Sequence, residues 1–416
     1  MNYTEMAAQV KQTSRLLGAS PESLRNKALS RIAGALSERR EEIFAANRKD
    51  LEAGVDLPAP VLGRLRFDEH KLSDVTAGIQ GLLSLPDPSG RVLLERELDR
   101  DLVLQRISCP IGVIGVIFES RPDALVQIAS LCIKSGNGAI LKGGSEAKNT
   151  NRILFDIIYE AGVQAGLPEY FAALVEDRAG IDELLKCPEY IDLLIPRGSN
   201  AFVRYIMDHS DIPVMGHADG ICHVYADADA DLDKAIPIIL DAKTQYAAAC
   251  NAAETLLLHE KIADEVMHRL DEANRSGKLE HGPVAYISAA SEEDFREYLD
   301  YKMTVKVVKD VQEAISHINR YGSHHTDAII TENAAAAKLF LSLVDSAGVY
   351  WSASTRFADG FRYGFGAEVG ISTGKLPPRG PVGLDGLVTY KYTLTGKGHI
   401  VGDYASGKKS FHFKDR

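Results

Sequence analysis

Cys250 has a sequence context that suits a nucleophilic thiol. It belongs to the run Gln-Tyr-Ala-Ala-Ala-Cys-Asn-Ala-Ala-Glu-Thr, residues 245–255, between a helical pattern and an apolar strand pattern. A thiol on such a small-residue turn can face an open cleft and attack an electrophilic carbon. Free cysteines are also among the most buried residues, so a packed, inert Cys250 is the competing interpretation. His217 and His223 lie upstream, but the sequence assigns neither of them as a base.

Two glycine-bearing turns could bind phosphate or ribose. Residues 141–146 (Leu-Lys-Gly-Gly-Ser-Glu) follow a predicted strand and precede a predicted helix, where backbone amides and Lys142 can meet a nucleotide. The alternative for this segment is an ordinary turn with a solvated lysine. Residues 197–200 (Arg-Gly-Ser-Asn) repeat the arrangement after the next clear strand. The two turns together favour a dinucleotide cofactor.

The common nucleotide motifs do not account for these turns. Residues 364–370 have one residue too many between their last glycines for Gly-x-Gly-x-x-Gly. Residues 371–375 resemble the end of a P-loop, but Val369 stands where that motif needs glycine. The sequence therefore argues against a nucleotide-hydrolysing site.

Two arginines in loops at strand ends are candidate ligands for carboxylate or phosphate. They are Arg121, in Glu-Ser-Arg-Pro, and Arg356, in Ser-Thr-Arg-Phe. Surface arginines without a ligand are an equally common alternative. The segment that follows Arg356, residues 357–386, is dense in glycine and is typical of a loop that wraps a ligand.

The composition excludes several classes of protein. The chain has 416 residues, 45% of them hydrophobic, which is enough for two or three domains with large cores. A net charge of -11 argues against a broad nucleic-acid surface, because phosphate neutralisation needs clustered cations. The five cysteines are too widely spaced for a disulfide framework or a metal site. A polar N-terminus and the absence of an apolar run near ~18 residues predict a soluble cytoplasmic protein.

The elements that must position these residues follow an α/β pattern. Ser20 and Pro21 predict an N-cap and a first-turn proline for an apolar helical stripe that continues to about Gly54. Residues 92–107 predict a hairpin around the polar turn at 99–101. From residue 111 onward, short apolar strands alternate with helices, which predicts parallel sheets. The predicted strands are 111–118, 138–142, 191–196, 223–226, 254–259, 283–288, 305–308, 326–331 and 348–351. A second α/β region begins at residue 232, and a cleft between two such domains is a favoured ligand site.

Taken together, the motifs resemble glutamate-5-semialdehyde dehydrogenases, also called gamma-glutamyl phosphate reductases. The similarity begins with Val-Ile-Phe-Glu-Ser-Arg-Pro at 116–122 and keeps its motif order along nearly the whole chain. The other matching segments are 141–147, 192–199, 214–223, 250–256, 353–360, 366–375 and 379–384.

The resemblance implies an aldehyde dehydrogenase-like fold. Such a fold has a Rossmann-type cofactor domain, an α/β catalytic domain and a small β oligomerisation arm. The corresponding predicted ranges are 1–90 and 108–230 for NADPH binding, 231–375 for catalysis, and 91–107 with 385–416 for the arm and tail. A homo-oligomer is therefore expected.

The resemblance also implies a reaction. NADPH would reduce L-glutamyl 5-phosphate to L-glutamate 5-semialdehyde and phosphate, the second step of proline synthesis from glutamate. The Cys250 thiolate would attack the acyl phosphate, and hydride would reduce the resulting thioester. Whether a glutamate 5-kinase partner hands over the labile acyl phosphate is left open.

Roles for individual residues follow from the same resemblance. Cys250 is the expected nucleophile. The expected substrate ligands are Arg121, Ser354, Thr355 and Arg356. The expected cofactor ligands are Lys142, Gly143, Gly144, Ser145, Glu146, Arg197, Gly198, Ser199 and Glu297, the last at the nicotinamide ribose.

One difference from hydrolytic aldehyde dehydrogenases bears on the chemistry. Hydrolytic members carry a glutamate base in Glu-Leu-Gly-Gly, whereas residues 215–220 here read Met-Gly-His-Ala-Asp-Gly. Without that glutamate, phosphate rather than water is the expected acyl acceptor. A hydrolytic aldehyde dehydrogenase acting on a small semialdehyde is the alternative function, and a cofactor-binding protein with an inert thiol is a non-enzymatic one.

Overall fold

The chain forms two compact units in a computed structural model. The first unit comprises Met1–Val214 and Gly383–Arg416, and the second comprises Met215–Val382. Among the described helices, none is both long and apolar enough to cross a bilayer. The residues that the structure describes are 2–177, 179–216, 219–277, 279 and 282–416.

The first unit starts with helices, as predicted. A capping box begins the first helix, because Asn2 and Glu5 each accept a hydrogen bond from the other's backbone amide. The segment predicted as one apolar helical stripe folds into two helices that meet at Arg39. Ser20 does not cap the second helix as predicted, since its hydroxyl donates to the Leu17 carbonyl at 2.6 Å. The helices are α1 (Tyr3–Ala19), α2 (Glu22–Glu38), α3 (Arg40–Ala53), α4 (Ala59–Leu65) and α5 (Glu69–Ser84).

The predicted hairpin follows these helices. Strand β1 (Val92–Asp99) pairs antiparallel with β2 (Leu102–Pro110). Asp101 in the turn has φ of 64°, a left-handed conformation that aspartate tolerates better than most residues. The sequence thus predicted both the hairpin and the position of its turn.

A four-stranded parallel sheet forms the core of the first unit. Its elements are β3 (Val113–Phe118), α6 (Pro122–Ser135), β4 (Gly138–Lys142), α7 (Lys148–Ala165), β5 (Ala172–Val175), α8 (Ala179–Leu184), β6 (Leu193–Arg197) and α9 (Asn200–His209). The strand order is β5-β4-β3-β6. Strand β5 was not predicted, because its four residues are too few for a periodic signal.

A six-stranded parallel sheet forms the core of the second unit. Its elements are β7 (Cys222–Ala226), α10 (Leu232–Thr244), β8 (Ala253–His259), α11 (Ala263–Arg275), β9 (Ala285–Ser288), β10 (Lys302–Val308), α12 (Val311–Tyr321), β11 (Thr326–Ile330), α13 (Ala334–Leu343) and β12 (Gly348–Trp351). The strand order is β12-β11-β7-β8-β10-β9. Strands β7, β8 and β11 are buried along their whole length, as a sheet covered on both faces requires.

The position of β7 corrects the predicted domain boundaries. The first domain was predicted to extend to residue 230, but β7 pairs with β8 and β11 of the second sheet. The unit boundary therefore precedes β7, near residue 214, and the second unit continues to residue 382 rather than 375. An apolar strand carries no local signal of which sheet it joins, because strand order depends on long-range pairing.

The last segments of the chain add strands to both units. The remaining elements are β13 (Gly370–Ser372), β14 (Gly380–Val382), β15 (Val388–Thr395), α14 (Val401–Ala405) and β16 (Lys414–Asp415). Strands β13 and β14 pair within the second unit. Strands β15 and β16 return to the first unit and extend its hairpin into a sheet of order β15-β2-β1-β16, in the region predicted as the arm.

Candidate active site

Cys250 lies on a tight turn between α10 and β8, where the sequence analysis expected it. Successive backbone hydrogen bonds, Ala249 to Tyr246 at 3.1 Å and Ala252 to Ala249 at 2.9 Å, fold residues 245–252 into this turn. The Cys250 thiol is free and half-buried, whereas Cys132 and Cys222 are buried. The interpretation of Cys250 as a packed core residue is therefore not favoured.

The segment before β7 fixes the backbone of Cys250. A Cβ atom at Gly220 would lie 2.1 Å from the Cys250 carbonyl oxygen and 2.6 Å from its Cα, so only glycine fits there. The Cys222 thiol donates to the same carbonyl at 3.4 Å. These contacts hold the backbone of Cys250 from one side.

Glu297 is connected to this segment. Its carboxylate accepts the Gly220 amide at 3.0 Å, so the residue expected at the nicotinamide ribose lies two contacts from Cys250. Two residues further on, the Leu299 amide donates to Glu254 at 3.3 Å. Residues 297–299 are thus anchored both to the Gly220 segment and to the start of β8.

A buried ion pair lies behind the cysteine turn. Lys243, at the end of α10, donates to Glu254, at the start of β8, over 2.6 Å, and the two side chains are 1% and 0% exposed. Burial raises the pKa of Glu254 to about 7 and lowers the pKa of Lys243. The pair joins the two elements that flank Cys250.

The Ser-Thr-Arg loop contacts the same turn. Residues Thr355–Phe357 form a 3-10 helix, and the buried Thr355 hydroxyl donates to the Asn251 carbonyl at 2.7 Å. Asn251 in turn donates to the Ala358 carbonyl at 2.8 Å. The buried Ser354 hydroxyl accepts the Arg356 amide at 3.3 Å. The structure therefore brings the loop of Ser354, Thr355 and Arg356 to the cysteine turn, and the two hydroxyls make contacts that shape this loop.

Arg356 supplies a cation near the thiol. Its side chain is buried, its Nε donates to Gln245 Oε1 at 2.9 Å, and its guanidinium lies 6.0 Å from the Tyr246 ring centroid. Burial and the neighbouring Arg362 lower the pKa of Arg356, while the charge of Cys250 acts in the opposite direction. Arg356 is therefore part of the charge environment of the cysteine turn.

Two histidines of this unit, His223 and His317, lie in its interior. His223 is fully buried, with Nδ1 2.9 Å from Asp327, which also accepts the Ser346 hydroxyl. Burial lowers the pKa of His317 to about 3, so this ring is neutral at physiological pH. These surroundings agree with a structural role for His223. His217, the other upstream histidine, lies outside the described residues.

The first predicted cofactor turn lies at the end of β4, with Lys142 buried and donating to the Gly143 carbonyl. A Cβ at Gly143 would lie 2.1 Å from the Asn151 amide nitrogen, and one at Gly144 would lie 2.1 Å from Glu146 Oε1. That same oxygen accepts the backbone amide and the hydroxyl of Ser120 at 2.6 and 2.7 Å. Ser145, next to Glu146, begins a 3-10 helix. The two glycines therefore leave room for the ends of the Asn151 and Glu146 side chains.

The second predicted turn lies at the end of β6. The Ser199 amide donates to Glu119 at 2.9 Å, and a Cβ at Gly198 would lie 2.4 Å from the same carboxylate oxygen. Arg197 pairs in the sheet with Phe118, at the end of neighbouring strand β3. Arg121, just beyond that strand, is exposed and precedes α6. The structure brings the two turns and Arg121 to one edge of the first sheet, because parallel strands end on the same side.

The donor set at this edge fits a dinucleotide. Lys142 and Arg197 supply cations for phosphate, while the Glu119 and Glu146 carboxylates can accept ribose hydroxyls. Asn151, beneath Gly143, has a buried Oδ1 without a hydrogen-bond partner among the described residues. The chemistry of these side chains is that of a nucleotide site at the carboxyl end of a parallel sheet.

Fold and site together define the class of protein. Residues 2–301 match the aldehyde dehydrogenase family, so the chain belongs to this family. Membership indicates a nicotinamide cofactor. The predicted aldehyde dehydrogenase-like α/β fold is confirmed.

Individual relatives narrow this assignment. Gamma-glutamyl phosphate reductases of Acetivibrio thermocellus and Pelotomaculum thermopropionicum are 59% and 57% identical to this chain, each over 99% of it and 97% of the relative. The crystal structure of gamma-glutamyl phosphate reductase from Thermotoga maritima has a TM-score of 0.92 at 39% identity, covering 96% of this chain and 100% of that one. Within the family the chain is a member of the gamma-glutamyl phosphate reductases, as the resemblance predicted.

Four residues that contact or flank the cysteine turn were not predicted from the sequence. They are Gly220, Lys243, Glu254 and Arg362. For Glu254 a signal was present, because a carboxylate inside the apolar run Ala-Glu-Thr-Leu-Leu-Leu implies a buried partner. For Gly220 and Arg362 the local sequence gives no such signal, since their contacts join residues far apart in the chain.

Proposed function

We propose that the chain reduces L-glutamyl 5-phosphate to L-glutamate 5-semialdehyde and phosphate with NADPH, a step of proline synthesis. The names of its relatives, which match over nearly the full length of the chain, support this reaction. The observation that carries the proposal is the Cys250 turn, where a half-buried thiol has a fixed backbone and the buried Arg356 donates to Gln245 of the same turn.

The chain's own residues explain how the acyl group is transferred. The Cys250 thiolate attacks the acyl carbon, so a C–S bond forms and the C–O bond to phosphate breaks, with both electrons leaving on phosphate. The Cys250 amide is a candidate donor to the oxyanion. An acyl phosphate is already activated, so orientation of the thiol contributes much of the catalysis.

NADPH, when bound, supplies the hydride that converts the thioester into the semialdehyde. Lys142 and Arg197 would hold its phosphates, with Lys142 also able to meet a 2′-phosphate. The two turns that face the cofactor would be formed by Gly143, Gly144 and Ser145 and by Gly198 and Ser199. Glu146 and Glu297 would accept ribose hydroxyls.

The sequence at 215–220 supports phosphate rather than water as the acyl acceptor. It has no glutamate to activate water, and its His217 and Ala218 lie outside the described residues. In the reverse direction, phosphate would attack the thioester and regenerate the acyl phosphate. Phosphate is therefore obligatory for semialdehyde oxidation.

The decisive test is NADP⁺ reduction by the purified chain with glutamate semialdehyde, with and without phosphate. We expect activity only with phosphate, and complete loss in Cys250→Ser with NADPH binding retained. Cys109→Ser is the matched control, because Cys109 is equally half-buried but lies on β2. Oxidation without phosphate would indicate the hydrolytic alternative. Absence of NADP⁺ reduction by the parent chain and by Cys250→Ser alike, with NADPH binding retained in both, would indicate a cofactor-binding protein with an inert thiol.

We also propose that the sheet containing β15 serves homo-oligomerisation. Tyr390, Tyr392 and Leu394 on this edge strand are more than half exposed. Sedimentation analysis of the triple variant Tyr390→Ser, Tyr392→Ser, Leu394→Ser should show a smaller species than the parent chain. Adding a glutamate 5-kinase to the same experiment tests whether that enzyme binds as a partner.

A further inference from the structure

The structure assigns to Arg362 the binding of the acyl phosphate's phosphate group, together with Arg356. This inference rests on the proposed function and adds a residue that the sequence analysis did not single out. It starts from two guanidiniums that lie side by side in the second unit without a carboxylate between them.

The two arginines are connected through neutral groups. Arg362 donates through Nη1 to the Arg356 carbonyl at 2.6 Å and through Nη2 to Gln245 Oε1 at 3.5 Å. Arg356 donates through Nε to the same Gln245 oxygen at 2.9 Å. One amide oxygen is thus shared by two cations, which places their charges close enough for Arg362 to lower the pKa of Arg356.

Neither cation forms an ion pair with a described residue, although the charges of Asp359 and Asp241 act on Arg356 from beyond ion-pair distance. In the described part of the chain, no carboxylate pairs with Arg356 or Arg362, although Asp345 pairs with both Lys375 and Arg379 nearby in sequence. Two adjacent guanidiniums repel each other, and one of them is buried at a further cost. An oxyanion ligand that accepts from both would remove this repulsion.

The position of Arg356 and Arg362 favours phosphate, rather than the substrate's carboxylate, as their ligand. Arg356 is close enough to Cys250 for their charges to interact, and Gln245 begins the cysteine turn. In the reacting acyl phosphate, the phosphate is bonded through oxygen to the carbon that sulfur attacks. Three carbons separate the α-carboxylate from that acyl carbon. A dianion also matches two cations better than a monoanion does.

The surrounding loop fixes the approach of Arg362. The Asp359 side chain accepts the amides of Phe361 and Arg362 at 3.0 and 3.1 Å, and Glu368 accepts the Gly360 amide at 2.9 Å. These contacts hold the backbone, so the guanidinium is presented from an ordered turn while its side chain remains exposed. Substitution of Arg362 should therefore leave the fold intact.

The test compares Arg362→Met and Arg362→Lys with Arg275→Met, an exposed arginine on α11. In the reverse reaction, we expect Arg362→Met to raise the KM for phosphate about 10- to 100-fold, the range of one or two lost charge-assisted hydrogen bonds. Arg362→Lys should recover part of this loss. The KM for semialdehyde should change less than twofold, and Arg275→Met should match the parent chain.

The outcomes of these kinetic measurements distinguish failure of the inference from failure of the proposed function. A rise in the KM for semialdehyde with an unchanged KM for phosphate would assign Arg362 to the carboxylate and overturn the inference. Unchanged constants for both would also overturn it, while phosphate-dependent activity of the parent chain would still support the proposed function. Loss of phosphate dependence in the parent chain would instead contradict the proposed function itself.

A binding measurement avoids dependence on turnover. In a Cys109→Ser background, inorganic phosphate should protect Cys250 from iodoacetamide, because the anion lies beside the thiol. The phosphate concentration for half-protection should shift in Arg362→Met by the same factor as the KM. An unshifted protection curve would overturn the inference.

Discussion

The two units of this chain hold buried lysines in different ways. In the first unit, Lys134 on α6 is 0% exposed, but its partner Glu22, 2.8 Å away, is 39% exposed. In the second unit, neither Lys243 nor Glu254 is more than 1% exposed. The hydrogen bond from Lys134 lowers the pKa of Glu22, whereas burial raises that of Glu254 to about 7. Only the second unit has taken both charges out of water.

This difference indicates what each pair is for. A pair with one hydrated partner joins two helices of the fold at modest cost. A fully dry pair is costly to desolvate and is seldom retained for stability alone. Lys243 and Glu254 flank Cys250, and Glu254 also holds the Leu299 amide near Glu297. We infer that the dry pair sets the geometry of the cysteine turn.

The largest expected effect separates the two lysines directly. Lys243→Met leaves Glu254 buried and unpaired, which should lower the free energy of unfolding by about 3–5 kcal/mol. Lys134→Met leaves Glu22 able to hydrate, so its loss should be about half as large or less. Urea unfolding of both variants measures the difference. The double variant Lys243→Met, Glu254→Gln should regain most of the stability, and equal losses for the two lysines would contradict the comparison.

A second prediction compares the glycines of the two units. Alanine at Gly220 would meet the Cys250 backbone, which cannot move away, so we expect kcat to fall about 100-fold. Alanine at Gly144 would meet the end of the flexible Glu146 side chain and should raise the KM for NADPH only a few-fold. Steady-state kinetics of both variants tests this. Gly34→Ala, where nothing lies within 4 Å, is the control and should match the parent chain.

Acid should destabilise the second unit through His317. Its folded-state pKa of about 3 lies below the unfolded value near 6.5, so the unfolded state binds more protons between these values. The contribution of neutral His317 to the free energy of unfolding is complete above pH 6.5. It decreases as the pH falls, by about 2 kcal/mol between pH 7 and 5.

The parent chain alone cannot isolate this effect, because Glu254 titrates in the same window with opposite sign. Its raised pKa makes stability fall as the pH rises from about 4.5 to 7. The difference in unfolding free energy between the parent chain and His317→Phe, measured at pH 7 and pH 5, cancels Glu254. A pH-independent difference would show that His317 does not contribute.

The smallest effect concerns the first unit. Lys142→Ala should raise the KM for NADPH about tenfold, the equivalent of roughly 1.4 kcal/mol, with kcat little changed. If Lys142 meets the 2′-phosphate, the KM for NADH should not change. Equal losses for both cofactors would place Lys142 at a phosphate that the two cofactors share.

The sequence allowed much of this fold to be predicted, for physical reasons. The hairpin, most strands and the turn at Cys250 follow from local periodicity and turn residues, which neighbouring positions determine. The assignment of β7 to the first domain was wrong because pairing with β8 and β11 is a long-range property. The contact of Gly220 with Cys250 and the pair of Lys243 with Glu254 likewise depend on the folded chain.

The pairing of β15 with β2 has a consequence for synthesis of the chain. Val388 pairs with Pro110 in this ladder, so the second strand leaves the ribosome roughly 280 residues after the first. At about 5–20 residues per second, translation of this interval takes about 14–56 s. During that time the β2 edge of the nascent hairpin is unpaired and open to neighbouring chains. Slowing elongation between these strands would lengthen this exposure, and chaperone binding at this stage would reduce misassembly.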